Sequence, residues 1–353
     1  MKACRQPVAA LSCLLALVLI VSGCSWMGDQ DKPSAAPPKD WATVKTTSDD
    51  AGILIQKVTY RSGDLTIDGQ VCRPTGRGPH PVLIWNHGGF AGLDDWNNPG
   101  GFCAVAARSG WVLAESSYRG EDGSDGEIEI CLGEVDDSLS LLETVLDQSY
   151  ADADRVAMVG VSHGGCITTR AVQQGAPVQL AVDVAGPSDW AELWTFMNRA
   201  KARPSTPANV KSVYSSLLET VETAIGGTPA EHPERYAERS PIHKAGSIAQ
   251  DSKAFLIVHG GADVVVPIQQ SCDLATRIGD VRAYRFDRSG AVASQPVAGC
   301  EDLPWRGPPT PVPAFVGDRY LLVYDGVDHL LVGKNSPRVR ADFLEFMAAK
   351  LTG

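Results

Sequence analysis

One pentapeptide constrains this chain more than any other stretch: Gly160-Val161-Ser162-His163-Gly164. Before it, Arg155-Val156-Ala157-Met158-Val159 is a short apolar run that reads as a buried strand. After it, Gly165 to Gln174 is long enough for about three helical turns and is closed by Gly175 and Pro177. A serine at the tip of so sharp a turn adopts unfavourable backbone angles. Glycines two before and two after let strand and helix pass close by. Strand, G-x-S-x-G and helix together form a nucleophile elbow, which points to acyl transfer at Ser162.

The chain begins with a targeting pattern. Lys2 and Arg5 precede an apolar run from Leu11 to Val21, too short to span a bilayer as a mature helix. The run ends in Val21-Ser22-Gly23-Cys24, which resembles the lipobox of bacterial lipoproteins. That resemblance implies a signal peptide over residues 1–23 and lipidation at Cys24. The expected location is the cell envelope, with the protein lipid-anchored on the extracytoplasmic side of a bacterial membrane. Residues 24–50 include Pro33-Ser34-Ala35-Ala36-Pro37-Pro38 and read as a flexible tether. Residues 51–353 are about the right length for one large α/β domain.

Charge narrows the partners. The formal net charge is −11, and loss of Lys2 and Arg5 with the signal makes it −13. An acidic surface without a Lys/Arg cluster is a poor match for nucleic acid. Of nine cysteines, Cys4 and Cys13 leave with the signal and Cys24 carries the lipid. Six remain, and their fifteen possible pairings are not resolved by spacing. Cys166, just after the elbow, is expected to be a buried thiol. At most two bridges are expected, with Cys272 to Cys300 the leading pair because it would staple an irregular loop. No C-x-x-C or H-E-x-x-H occurs, so neither a metal nor a cofactor is expected.

The remaining chemistry follows in chain order. Pro81 to Asn86 reads as a buried strand that runs into His87-Gly88-Gly89-Phe90. A serine acyl-transfer enzyme needs N–H donors aimed at the developing oxyanion. His163 N–H, just after the serine, is one candidate, and Gly89 or Phe90 supplies the second. Arg119 is a candidate for binding a substrate carboxylate or carbonyl, or else it pairs with Glu121 or Asp122. Glu134, Asp136 and Asp137 favour a helix N-terminus and are assigned no chemistry. Residues 187–250 carry only helical patterns and read as a lid, where Trp190, Trp194 and Phe196 either line a substrate pocket or form lid core. Asp263 follows the strand Ala254 to Val258 and is the expected acid, with Asp189, Asp325 and Asp328 as rivals. His329 is the only histidine after Asp263 and follows the last expected strand, Tyr320 to Tyr324. The order Ser, Asp, His is that of an α/β-hydrolase, not of chymotrypsin or subtilisin. The fold expected is therefore an α/β-hydrolase with a mostly parallel eight-stranded sheet, helices on both faces and a helical lid.

With these pieces placed, the chain resembles the catalytic domain of the prolyl oligopeptidase family of serine peptidases. The resemblance rests on His87-Gly88-Gly89, Tyr118-Arg119-Gly120, Gly160 to Gly165, Pro233 to Ile242, His259-Gly260-Gly261-Ala262-Asp263 with Val266-Pro267, and Asp328-His329. It implies Ser162 as nucleophile, Asp263 as acid and His329 as base. It also implies a peptidase acting on short peptides. The propeller domain of the large family members is not expected, because the stretch before residue 51 is too short. Residues 86–92 contain no tyrosine, so backbone donors must serve the oxyanion. Two other readings remain open: a carboxylesterase acting on small esters, and a non-catalytic lipoprotein that binds a ligand or partner in the same pocket. The sequence does not fix an oligomeric state.

Overall fold

The computed structural model describes residues 41–48, 52–93, 98–250, 253–307 and 315–351. The expected signal peptide, Cys24 and most of the tether lie outside the described residues. Among the described residues ten strands form one sheet: β1 (Trp41–Ser48), β2 (Ile53–Ser62), β3 (Leu65–Pro74), β4 (His80–Asn86), β5 (Val112–Ser116), β6 (Ala151–Val161), β7 (Leu180–Val184), β8 (Ala254–Gly260), β9 (Arg282–Phe286) and β10 (Arg319–Tyr324). Their order is β1-β2-β3-β5-β4-β6-β7-β8-β10-β9. The β1–β2, β2–β3 and β3–β5 pairs are antiparallel. Every pair from β5 to β9 is parallel.

Parallel pairs require crossovers; between β9 and β10 the described residues of 287–318 carry no helix, and elsewhere the crossovers are supplied by helices. These are α1 (Phe102–Arg108), α2 (Gly133–Leu146), α3 (His163–Gln173), α4 (Trp190–Ala202), α5 (Ala208–Ile225), α6 (Pro233–Arg239), α7 (Gly246–Gln250), α8 (Gln269–Ile278) and α9 (Ser336–Leu351). Covering both faces removes the alternation of a half-exposed sheet. Leu180–Val184 and Ala254–Gly260 are accordingly buried at every position. One buried cluster joins the sheet to α2, α3, α8 and the lid helices. A second joins its other face to α1 and α9. The elbow sits at the end of β6, in the middle of this layered block.

The sheet has ten strands rather than the eight expected. β1 lies within residues assigned to the tether. Its side chains are mostly exposed, so no apolar pattern announces it, and it joins through backbone pairing from Trp41 opposite Tyr60 to Ser48 opposite Leu54. β9 escapes notice because Arg282 and Arg285 interrupt a short run, yet Ala283, Tyr284 and Phe286 are buried. The expected lid over 187–250 is helical throughout its regular elements.

Among the described residues three disulfides form instead of at most two. Cys272–Cys300 is present as expected, and Cys72–Cys103 and Cys131–Cys166 accompany it. Cys166 is therefore not a thiol. The reason lies in the loop before α2. The buried Glu134 carboxylate accepts hydrogen bonds from the N–H groups of Glu129, Ile130 and Leu132. That grip fixes Cys131 above α3, with its Cα 6.1 Å from that of Cys166. Glu134 thus organises a loop rather than a helix dipole.

The elbow glycines are steric necessities. A Cβ on Gly160 would sit 1.9 Å from the Gly164 carbonyl oxygen and 2.5 Å from Thr168 Oγ1. Gly160→Ala is expected to cost about 3 kcal/mol or more. Gly246, in a helix and with nothing within 4 Å of a new Cβ, is the control. Gly246→Ala is expected to be neutral or to stabilise by about 0.5–1 kcal/mol. Urea denaturation midpoints of the two variants compare them directly, and equal midpoints would contradict the steric account.

Candidate active site

Ser162 occupies φ 56° and ψ −122°, a backbone region that non-glycine residues rarely adopt. The strain is held from several sides. Ser162 N–H donates to the Val184 carbonyl at 2.8 Å, tying the elbow to β7. A Cβ on Gly164 would lie 2.0 Å from the Asn86 carbonyl oxygen, so the end of β4 passes directly against the elbow. A Cβ on Gly88 would lie 3.0 Å from Ser162 Cβ. This close passage carries the loop Gly88-Gly89-Phe90 alongside the serine. Gly89 takes φ +79°, where glycine is at home.

The acid and the imidazole meet. His329 Nδ1 lies 2.6 Å from Asp263 Oδ2. Asp263 Oδ1 accepts from the N–H groups of Val265 and Val266 at 2.8 and 3.0 Å. The Asp263 side chain is fully buried, whereas that of His329 is 13% exposed. Burial alone would raise the Asp263 carboxyl. Hydrogen bonds from His259 and His329, with their charge, outweigh it and hold the group well below the usual carboxylate range. The carboxylate is therefore ionised whenever an imidazolium forms beside it.

His259 is a neighbour that the sequence reading treated only as part of a motif. It is fully buried, with Nδ1 2.7 Å from Ser271 Oγ and Nε2 3.0 Å from the Val266 carbonyl. Nε2 also lies 3.4 Å from Asp263 Oδ2. Its place four residues before Asp263, at the end of β8, was the available signal.

His163 is buried against the same site. Its Nε2 accepts from Cys131 N–H at 2.9 Å. Its ring packs 4.7 Å from Phe90. Burial pushes its imidazole down to about 4, against an opposing pull from the Gly89 backbone. The ring is thus neutral at ordinary pH.

Ser162, His163 and His329 line one cavity of about 290 Å³, together with Gly88, Gly89 and Phe90. Trp190 lines it as well, while Trp194 does not. Trp194 instead donates from Nε1 to Glu222 at 2.7 Å, inside the lid. Phe196 packs on Tyr214 at 6.1 Å, also in the lid. The sequence reading missed Leu193 and Met197 of α4 and Val213, Leu217 and Val221 of α5, which complete the wall. Their spacing of three and four residues marks single helix faces.

Arg119 does not reach the cavity. Its guanidinium makes a bidentate pair with the buried Asp137, at 3.0 and 2.9 Å, and a further bond to Glu129 at 2.6 Å. Its partners are therefore neither Glu121 nor Asp122. The rival acids are also committed elsewhere. Asp189 caps α4 by accepting from Ala191 and Glu192 N–H. Asp325 pairs with Arg285, and Asp328 accepts from Leu330 and Val332 N–H.

Comparison with known proteins gives the same frame. The model of the prolyl oligopeptidase family matches residues 104–284. The uncharacterized peptidase YtmA of Bacillus subtilis is 24% identical over 220 residues, which is 62% of this chain and 77% of that protein. Esterase LipC of Mycobacterium tuberculosis is 25% identical over 216 residues, 57% of this chain and 48% of that protein. Among solved structures, acetyl xylan esterase 1 from Thermoanaerobacterium aligns with a TM-score of 0.58 at 15% identity. That alignment covers 88% of this chain and 89% of that one.

The loop beside the serine also rests on a titratable group. Glu121 is buried, and its Oε2 accepts from Gly92 N–H. Burial, opposed by that bond and reinforced by Glu134 and Asp122, pushes its carboxyl up to about 8. A carboxyl raised above its unfolded value stabilises the fold below the unfolded value, near 4.5. That contribution is lost as pH rises through about 8. Thermal unfolding from pH 5 to 9 should show falling stability in the wild type and a flatter profile in Glu121→Gln. Parallel profiles would contradict this.

Proposed function

The chain belongs to the prolyl oligopeptidase family, and from that premise we propose that it is a serine peptidase that acts on short peptides through a covalent acyl-enzyme. The observation that carries the proposal is a strained Ser162 lining the same cavity as His329, whose Nδ1 is tied to Asp263 at 2.6 Å. In this reading Asp263 fixes the tautomer of His329 and leaves Nε2 free to take the Ser162 proton. Ser162 attacks the carbonyl. The N–H of His163 and that of Gly89 or Phe90 stabilise the tetrahedral oxyanion. His329 then protonates the leaving group, and water releases the acyl group by the same route. The buried, ionised Asp263 offsets the charge that develops on the imidazole.

Ester hydrolysis is the second reading. It is favoured by the cavity wall, where none of the described lining residues is an acid or a base other than His163 and His329. The two chemistries share one triad, and matched amide and ester substrates separate them. Ser162→Ala is expected to cut turnover of either by about 10⁴-fold or more with the fold intact. Asp263→Asn is expected to cost a similar factor, about 10⁴. Wild-type turnover in a folded Ser162→Ala protein would remove the mechanism.

We further propose that the mature protein is a lipoprotein anchored through Cys24 on the extracytoplasmic side of a bacterial membrane. The Val21-Ser22-Gly23-Cys24 pattern supports this. Three disulfides suit an oxidising compartment. Cell fractionation is the test: wild type should follow the membrane, and Cys24→Ser should leave it. Membrane association of both proteins would contradict a lipid anchor at this cysteine.

A further inference from the structure

We propose that Tyr214, in the lid, is a positioning residue for the triad acid Asp263, and that it makes the seating of the lid a condition for an assembled Asp263–His329 pair. The proposal rests on the serine-hydrolase reading above and adds a residue that acts on the triad without touching substrate.

The acid is aimed by the turn that follows it. Asp263 Oδ1 accepts from the N–H groups of Val265 and Val266 at 2.8 and 3.0 Å. Those donors stay aligned only while residues 264–266 keep their shape. The turn is held at three places. At its start, Ala262 N–H donates to the Val327 carbonyl at 2.8 Å, and Asp263 N–H to the Gly260 carbonyl at 3.1 Å. At its end, His259 Nε2 lies 3.0 Å from the Val266 carbonyl, and since a carbonyl can only accept, Nε2 carries the proton. In the middle, the Tyr214 hydroxyl donates to the Val264 carbonyl. The first two anchors belong to the ends of β8 and β10. The third comes from α5, 50 residues earlier in the chain.

The surroundings of Tyr214 fit this role. The residue is buried although Val264 is exposed. Its ring packs edge-on against Phe196 of α4 at 6.1 Å, so the two lid helices fix its direction together. Burial, followed by the Asp263 charge, raises its phenol above the usual tyrosine value, and the hydroxyl therefore remains a donor. Val213 and Leu217 of the same helix line the cavity, as do Val265 and Val266 of the turn. One stretch of α5 thus walls the substrate space and holds the acid's turn. Displacement of α5 withdraws the hydroxyl, lets the Val265 and Val266 donors drift and loosens the hold of Asp263 on His329 Nδ1.

The test is Tyr214→Phe, which removes the hydroxyl and keeps the ring. Water can take the vacated place at the exposed Val264, so the fold is expected to survive, which circular dichroism checks. With p-nitrophenyl acetate and the disulfide-intact protein, kcat is expected to fall about tenfold while KM stays within about twofold of wild type. Fluorophosphonate labelling of Ser162 is expected to slow by a similar factor. In proton NMR the low-field resonance of His329 Nδ1–H is expected to broaden. Trp194→Phe is the control, because it removes the bond to Glu222 inside the lid and leaves Val264 untouched. It is expected to keep the wild-type kcat, labelling rate and resonance. A raised KM at wild-type kcat in Tyr214→Phe would make the tyrosine a strut of the lid alone and overturn the proposal. Equal losses of kcat in the two variants would overturn it as well. Wild-type kcat and labelling in Tyr214→Phe, beside an inactive Ser162→Ala, would sink this proposal and leave the serine mechanism standing. Ester turnover undiminished in Ser162→Ala would instead overturn the mechanism beneath it.

Discussion

Everything at this site depends on one strained backbone position. Ser162 sits at φ 56° and ψ −122°. Such a conformation costs about 1–3 kcal/mol and persists only when its surroundings over-determine it. Here they do. Val184 on the neighbouring strand accepts the serine N–H. Gly160 and Gly164 let α3 and the end of β4 close to distances no side chain would allow. The sheet forces the strain, and the strain lifts the hydroxyl out of it. The same close passage delivers the Gly88-Gly89-Phe90 loop beside the serine. Nucleophile and candidate oxyanion donors are therefore products of one packing constraint.

The other half of the site depends on electrostatics. Asp263 is fully buried, yet hydrogen bonds from its imidazole neighbours and from the N–H groups of Val265 and Val266 keep it ionised. His329 stays partly open to the cavity. A buried acid gripping a slightly exposed base allows proton transfer at the cavity without disturbing the acid. Behind the elbow, the Cys131–Cys166 bridge and the hydrogen bond from Cys131 N–H to His163 tie the first turn of α3 to the loop that Glu134 gathers. The first turn of the elbow helix is thereby braced.

The elbow, the glycine loop, the acid and the histidine were legible in the sequence because each is local: a residue type at a fixed offset from a strand end. The helical lid was legible because 187–250 carries no strand pattern. What escaped depends on contacts between distant segments. Arg119 was a candidate either for substrate or for pairing with Glu121 or Asp122, but its partner Asp137 comes from a helix 18 residues on and is buried beneath it. Cys166 looked like a core thiol because Cys131 approaches it only after Glu134 folds the intervening loop. β1 was read as tether because edge strands with exposed side chains carry no hydrophobic signal. The wall of the cavity was visible only as two amphipathic helices, and their facing surfaces meet only in three dimensions.

The most direct test of the central claim is labelling of the purified, folded protein with a fluorophosphonate probe, followed by peptide mapping of the modified residue. The account predicts modification at Ser162, because only an assembled base and oxyanion site activates a serine toward such a probe. Absence of labelling in a protein shown to be folded would contradict an activated nucleophile at the elbow, and so would modification at another residue.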